Sequence, residues 1–552
     1  MASGILGVGV TALNAAQAAL RTTQHNIANA NTPGYHRQWV EYAANPPNFS
    51  GAGFFGQGVS VTAVTRAYSR FLEDELMRSE TGLARHEVYA RYATRIDRIL
   101  GDAASGMHTA MQRFFASVQE VANAPTSHAA REVMLASGRG LASRFSQLAT
   151  SLAAMQQAAN DELSALASEA NALVRQIADL NDRIAVYETT TGRQPNDLLD
   201  QRDQHTAELN KLVGVTVVRG ADGRQDLYLG GALPLLIGNR PYALSATADP
   251  LDPRHRILAL DTGSTVIALG REHLADSKAG GLLAVREDML LPAQRELGHL
   301  AIALADHFNA LHEGGYGLDT STGNAFFSPA NTLLRQPLAH EGNSGTAAVS
   351  VSLSAPGSSS QLTASDYLLT FNGGTSYTLT RLSDGASFSV THGTPATIDG
   401  FNLLTSGTPA VGDRWLIRVG TEAAGKIEAV LTDARKIAAA SSAVGLPGDN
   451  SNALAMAALQ TSPVLENGTM SLANHYARLV TRMASLAREA DHSVQAYSTL
   501  QRQALEAQQA FSGVNLDEEA ANLMRFQQAY QAAARALQVA NTLFEELLAI
   551  TR

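Results

Sequence analysis

The chain has no cysteine in 552 residues, only 6% aromatic and 17% charged side chains, and no basic block anywhere. Without cysteine there is no disulfide, no zinc-thiolate site and no cysteine nucleophile, and the chain suits an export route that requires threading. The missing basic runs and the net charge of -10 argue against a nucleic-acid partner and make repulsion of polyanions the default. No window approaches the ~20 apolar residues of a membrane span, so no membrane insertion is expected. The segment up to Leu20 also lacks the basic stretch that precedes the apolar part of a cleaved signal peptide. The length exceeds what one hydrophobic core supports, and roughly three or four domains are expected. Ala, Gln, Gly, Ser and Thr fill the places left by charge and aromatics, which suits long helices plus Ser/Thr/Gly-rich strands.

The two ends share a pattern. Leu6, Val10, Leu13, Gln17, Leu20, Gln24 and Ile27 step alternately by four and three residues, which is the spacing of a coiled-coil seam. Leu516, Ala520, Leu523, Gln527, Tyr530, Ala534, Leu537, Asn541, Phe544 and Leu548 repeat it at the other end. Asn515 with Glu518 three residues on resembles a capping box, so the last helix is expected to start just after Gly513 and Val514. Each stripe is too narrow to be dried alone and needs a partner. Two terminal helices on an ordinary core, or helices that form oligomers, both satisfy that need. The amides within the seams favour the second, because buried amides fix register at a cost in stability. The first helix stops at Asn29-Ala30-Asn31-Thr32, and Pro33-Gly34 reads as a type II turn with Gly34 at positive φ.

At these residues the sequence resembles the bacterial flagellar axial rod and hook protein superfamily, whose members follow a first helix with motifs like Asn26-Ile27-Ala28-Asn29 and Thr32-Pro33-Gly34-Tyr35. Its hook-associated, hook-filament junction branch is the nearest match. That match rests on Gly56-Gln57-Gly58-Val59 leading to Arg66 through Leu72, on Tyr316 to Asp319, on Gly448 to Ala453, and on Gly513 to Ala520 continuing through Phe526 to Tyr530. The Ser-Ser-Gly motif of flagellin and of the second junction protein is absent after the first helix, and His36-Arg37 is taken as a variable position. The resemblance implies an extracellular structural subunit at the hook-filament junction, needed for filament assembly and secreted through the flagellar type III pathway without a cleaved signal. Implied partners are neighbouring copies, hook protein, the second hook-associated junction protein, and a cytoplasmic export chaperone on the C-terminal helix. With the seams, it nominates Leu6, Val10, Leu13, Leu20, Asn26, Ile27, Asn29, Leu516, Leu523, Phe526, Tyr530, Leu537, Phe544 and Leu548 as an assembly interface, and Pro33 and Gly34 as a structural turn.

Between the ends, residues 66 to 122 read as helix with breaks at Gly82 and near Gly101 to Gly106. A long heptad-spaced helix then runs from Leu141 through Ile184 to the Thr189-Gly192 break. Further stripes at Leu297 to Leu311 and Leu472 to Leu486 are expected to join it in one elongated bundle. Asp222-Gly223 between two apolar runs signals a hairpin, and Tyr367 to Phe371, Tyr377 to Leu382 and Phe388 to Val390 read as a meander, both sitting outward as insertions. The expected fold is mainly α with β insertions: an elongated multi-domain protein with its terminal helices paired as a coiled coil, a long helical bundle and outer β-rich domains. The expected segments are a terminal axial helix (1–35), helical core with an extended start (36–210), a β-rich insertion (211–276), helical core (277–330), an outer β-rich domain (331–430), helical core (431–511) and the C-terminal axial helix (512–552).

Nothing in the sequence points to chemistry. Gly51-Ala52-Gly53-Phe54-Phe55-Gly56 satisfies G-x-G-x-x-G but has neither a strand before it nor a helix after it. Asp306, His307, His312 and Glu313 cluster, yet on a helix the two imidazoles point about 140° apart, and a solvated helix end is the expected reading. No H-E-x-x-H, G-x-S-x-G or phosphate loop occurs. No catalytic residue, cofactor or metal is assigned, and the chain is read as non-enzymatic. Another axial subunit, from hook or rod, or a secreted adhesin-like protein are the alternatives. The unsatisfied coils at both ends favour an axial subunit, whose heterologous contacts generate a tube.

Overall fold

The computed structural model describes residues 2–550 apart from Ala52, residues 103–105, Ala221 and Ala275. Helix α1 (Ala2–Asn29) and the last helix (Leu516–Ile550) lie against each other at one end of an elongated molecule. Asn515 caps the last helix as its sequence predicts, its Oδ1 accepting from the N–H groups of Asp517 and Glu518 at 3.0 and 3.4 Å. A two-stranded ribbon of β1 (Gln38–Ala44) and β4 (Val59–Arg66) runs along α1, with a small hairpin, β2 (Asn48–Ser50) and β3 (Gly53–Phe55), at its tip. Gly58 allows the ribbon to reach α1, since a Cβ there would stand 2.2 Å from Thr11 Oγ1.

Beyond the ribbon, α2 (Arg70–Leu100) pairs antiparallel with the penultimate helix (Leu472–Ser512) to form a stem. Here one expectation is corrected. Helix α2 passes through Gly82 without a break, and Gly82 is the point of closest approach: a Cβ would lie 2.3 Å from the Tyr497 ring. Tyr497 fills that notch and stacks on His86 at 4.7 Å between centroids. Glycine has two uses in a helix, and only packing with a distant partner reveals which applies.

The stem opens into a helical body built on α4 (His128–Thr191), a 64-residue helix that Ser127 caps and Gly192 ends at φ 65°. Helices α3 (Met107–Asn123) and α5 (Asn196–Val213) flank it, and Lys278–Ala284 passes through a π-helical turn into Leu291–Gly314. Phe114, Phe308, Phe326 and Phe327 pack in tilted and edge-to-face pairs within the body, all fully buried.

The hairpin signal at Asp222-Gly223 holds: Val215–Arg219 pairs with Gln225–Leu229 in a four-stranded antiparallel meander, followed by a three-stranded sheet spanning Ala243–Leu269. This module is not an outward appendage. Three asparagines on α4 grip its strands by their backbone. Asn181 donates to the carbonyls of Gln225 and Gly238 at 2.8 and 2.7 Å, Asn171 exchanges two bonds with Leu244, and Asn160 bonds Arg254 and Arg256. The sheets' Leu227, Leu229, Leu236, Leu258 and Leu260 belong to the main core.

The later β region forms a five-stranded and a three-stranded antiparallel sheet, whose Tyr367 and Phe401 meet edge to face at 5.3 Å. A buried charge hub fastens this region to the rest. Asp252, fully buried in the first β module, accepts from Arg335 at 3.2 Å and from Arg418 at 2.7 Å. Arg418 also reaches Asp366 at 3.0 Å, which pairs with Arg295 of the long body helix at 3.1 Å. Burial opposes ionisation of Asp252, but Arg335 foremost, with His255 and Arg254, holds it well below the usual carboxylate range.

The chain then returns along the body as an extended strap. Arg131, 1% exposed, donates to the Pro125 and Ile437 carbonyls at 2.8 and 2.6 Å and so pins the strap to α4. The Gly448 to Ala453 motif closes it: Asp449 accepts from Ser441 and Ser451, and Asn452 donates to Leu311 and Ala438.

A second expectation fails beside the strap. His312 is fully buried rather than at a solvated helix end. Its Nδ1–H donates to the Asn324 carbonyl at 2.6 Å and its Nε2 accepts from the Ala438 N–H at 3.1 Å, so it is a neutral tether, and burial lowers its pKa to about 4. Among the described residues no group of His, Asp and Glu is arranged to hold a metal, and no helix is long and apolar enough to cross a membrane.

Candidate assembly interface at the paired chain ends

The terminal pair is held by a polar clamp at its base. Asn26, 1% exposed, uses its whole amide: Oδ1 accepts from the Tyr35 hydroxyl at 2.7 Å and the Gln38 N–H at 3.0 Å, while Nδ2 donates to the Gln38 carbonyl at 2.8 Å and to Glu519 at 3.1 Å. Glu519, 2% exposed, also takes the Arg37 guanidinium at 2.8 Å. Arg37 reaches Glu518 as well at 3.1 Å, and its N–H donates to the Ser512 carbonyl at 2.9 Å. One residue thus closes the penultimate helix and fixes the start of the last one. Burial, and then Asp197, pushes Tyr35 up, so its hydroxyl stays a donor.

The turn before the clamp has the expected form. Gly34 has φ 76°, and the Tyr35 N–H donates to the Thr32 carbonyl at 3.2 Å around Pro33 and Gly34. Any Cβ at Gly34 would also press on Gln204 of α5 at 3.3 Å. Gly34→Val is expected to cost on the order of 1 to 3 kcal/mol locally, which chemical denaturation checks, and to misdirect α1, which a motility-plate assay checks. Asn29 acts locally, donating to the His25 carbonyl at 3.0 Å and accepting from Thr32 at 3.2 Å.

Below the clamp lies an ion cluster that sequence reading passed over. His36, 2% exposed, sits between Asp200 of α5 at 2.8 Å and Glu73 of α2 at 2.9 Å. Arg66 joins Asp200 and Asp203 at 2.6 and 2.7 Å, and Gln508 of the penultimate helix donates to Glu73 at 2.8 Å. Burial alone would lower the imidazolium, but its hydrogen bonds to Asp200 and Glu73 outweigh that and raise His36 to about 9. A pKa raised above the unfolded value of about 6.5 means stability fully present below pH 6.5 and lost as pH rises through about 9. Raising pH from 7 to 10 is therefore expected to lower the unfolding temperature, with His36→Gln starting lower and flatter over that range, as scanning calorimetry of the two proteins compares.

The two helices do not meet along the expected leucines. On α1 the buried line is Gly9, Ala15, Ala16, Ala19, Thr23 and Asn26, one residue off the predicted seam, while Leu6, Leu13, Leu20 and Ile27 are half-buried and Val10 is 47% exposed. On the last helix Glu519 and Ala540 are buried, and Leu523, Phe526 and Leu537 half-buried. Leu516, Tyr530 and Phe544 are exposed on that helix, together with Met524, Val539 and Leu543. The side chain of Leu548 lies outside the described residues. Small residues let the axes approach: a Cβ on Gly9 would stand 3.2 Å from Leu537 Cδ1. The larger side chains are thereby turned to the flanks, where they remain open for other contacts.

Comparison with known proteins places this geometry. Residues 6–36 match the flagella basal body rod protein family and residues 506–550 the C-terminal family of flagellar basal body rod proteins. The middle matches the helical domain of flagellar hook-associated protein FlgK over residues 93–327 and the D2-like domain of flagellar hook-associated protein 1 over residues 338–419. Flagellar hook-associated protein 1 of Escherichia coli is 32% identical over 99% of this chain and 100% of its own length. The chain belongs to the flagellar hook-associated protein 1 family. Its counterpart in Bacillus subtilis is 25% identical over 97% of this chain and 96% of its own. The solved structure of the flagellar hook junction protein FlgK from Burkholderia pseudomallei superposes with a TM-score of 0.72 at 25% identity, covering 80% of this chain and 100% of that one. The resemblance read from both ends and the middle of the chain is thus borne out along the whole length. The clamp explains why those motifs go together, since Asn26 of one is satisfied by Glu519 of the other.

Proposed function

We propose that copies of this chain pack through the outward flanks of the terminal pair into a short axial zone between flagellar hook and filament. The protein is a structural subunit of the hook-filament junction, in keeping with its full-length likeness to flagellar hook-associated protein 1. Supporting the finer reading is the row of exposed apolar side chains beside a pair that already satisfies itself: Val10 on one helix, and Leu516, Tyr530 and Phe544 on the other. A monomer gains nothing from such a row. The remaining nominated residues, Leu6, Leu13, Leu20, Ile27, Leu523, Phe526 and Leu537, border it, while Asn26 and Asn29 shape the base of the pair. Neighbouring copies, hook protein and the second hook-associated junction protein are the partners proposed for it. The last helix is the segment proposed for a cytoplasmic export chaperone, with secretion through the flagellar type III pathway and no cleaved signal. No enzymatic role, cofactor, nucleic acid or membrane insertion enters this reading.

Electron microscopy of a strain lacking the protein tests it: hooks without filaments, with flagellin in the medium, are expected, and normal filaments overturn it. Leu537→Asp places a carboxylate against Gly9 and is expected to abolish incorporation at hook tips while leaving the core's melting temperature unchanged. A core transition that falls instead makes the pair an ordinary part of the fold.

A further inference from the structure

The hairpin of β2 and β3 carries two phenylalanines that the monomer leaves uncovered. Phe49 and Phe54 face each other across the strands, their rings 5.2 Å apart, and are 64% and 74% exposed. Hairpins of three-residue strands have no stability of their own, and adjacent open rings at such a tip mark a contact surface. A groove with exposed apolar side chains on its lining lies elsewhere on the chain. Between the stem and the first β module runs this open groove of 850 Å³, with Phe71 and Leu500, 70% and 51% exposed, and Tyr497 on its lining among charged Glu75, Arg78 and Asp276.

Knob and hollow cannot meet within one chain. The hairpin lies past Val59, at the end of β4 that reaches back along α1 to Val8, whereas the groove begins at Phe71 on the stem side of the clamp. The eight residues of β4 alone span roughly 26 Å. A surface whose complement sits at another level of the same molecule makes a heterologous contact, and contacts of that kind build open helical assemblies rather than closed pairs.

We propose that the Phe49 and Phe54 rings of one copy dock in the groove at Phe71, Tyr497 and Leu500 of the next copy, fixing the axial stagger between subunits. This inference rests on the self-assembly reading above. Because the chain has no cysteine, engineered pairs report it without background. Phe54→Cys with Leu500→Cys in one full-length chain, assembled on hooks in cells and mildly oxidised, is expected to give a ladder of covalent multimers. Either substitution alone, or Phe54→Cys with Val133→Cys, is expected to give no ladder.

Motile cells whose double-cysteine protein stays monomeric overturn the docking and leave the assembly reading standing. A bond formed within one chain, seen as a shifted monomer, overturns it as well. Wild-type protein absent from hook tips defeats the assembly reading itself. As a second measure, Phe49→Ser with Phe54→Ser is expected to lower the copies retained on isolated hooks at least fivefold with no change in monomer melting temperature, and full retention overturns the proposal.

Discussion

Glu519→Ala frees both chain ends from the neck. The carboxylate is the one group that Asn26 and Arg37 share, and it is 2% exposed. Its loss leaves the buried Asn26 amide one acceptor short and Arg37 with Glu518 alone at 3.1 Å, a defect of about 1 to 3 kcal/mol for an unsatisfied buried donor. The flanks of the terminal pair are half-open and hold too little apolar surface to absorb that loss, so detachment rather than global unfolding is the expected outcome. Limited proteolysis then trims the variant to a core starting after about Tyr35, while the wild type keeps its ends under the same conditions. Filament attachment disappears in the same strain. Glu519→Gln, which still accepts from Asn26 but carries no charge for Arg37, falls between the two.

Asp252→Ala acts where the later β region meets the body, and with a larger expected effect. It removes the anion on which Arg335 and Arg418 converge, side chains only 7% and 11% exposed, and leaves them Glu422 at 3.3 Å and Asp366 at 3.0 Å. Breaking the buried Asp252–Arg335 pair costs about 3 to 5 kcal/mol. Because Arg418 also bonds Asp366, and Asp366 bonds Arg295, the loss propagates to the contact between the later β region and the body. Calorimetry is expected to split one transition into two, the first belonging to the β sheets of residues 338–419. A single transition, merely lowered, would mean that apolar packing rather than the charge hub couples the two parts.

Which of these features the sequence disclosed depended on how far apart the partners lie. Capping by Asn515, the Pro33-Gly34 turn and the hairpin at Asp222-Gly223 are satisfied within a few residues, and each forms as its local chemistry requires. The heptad spacing of the ends was also correct, but not its phase. Periodicity finds an apolar stripe, whereas the line that touches the partner depends on how closely the axes approach, and Gly9 and Ala16 allow closer approach than Leu13 and Leu20. His36 and Arg37 looked dispensable because their partners Asp200, Glu73 and Glu519 stand 164, 37 and 482 positions away. Gly82 read as a break for the same reason, its occupant Tyr497 being remote in sequence. The asparagines of α4 interrupt a coiled-coil pattern, and only the strands of the first β module show that they are fasteners.

The clamp joins residues 493 positions apart. On the export route proposed above, whichever end leads must wait for nearly all the remaining chain before Asn26 and Glu519 can meet. A prematurely terminated product, however well its body folds, never closes its foot. In the assembly proposed above, the bond between the two ends then acts as a test of length, admitting to the growing axis only molecules that have arrived whole.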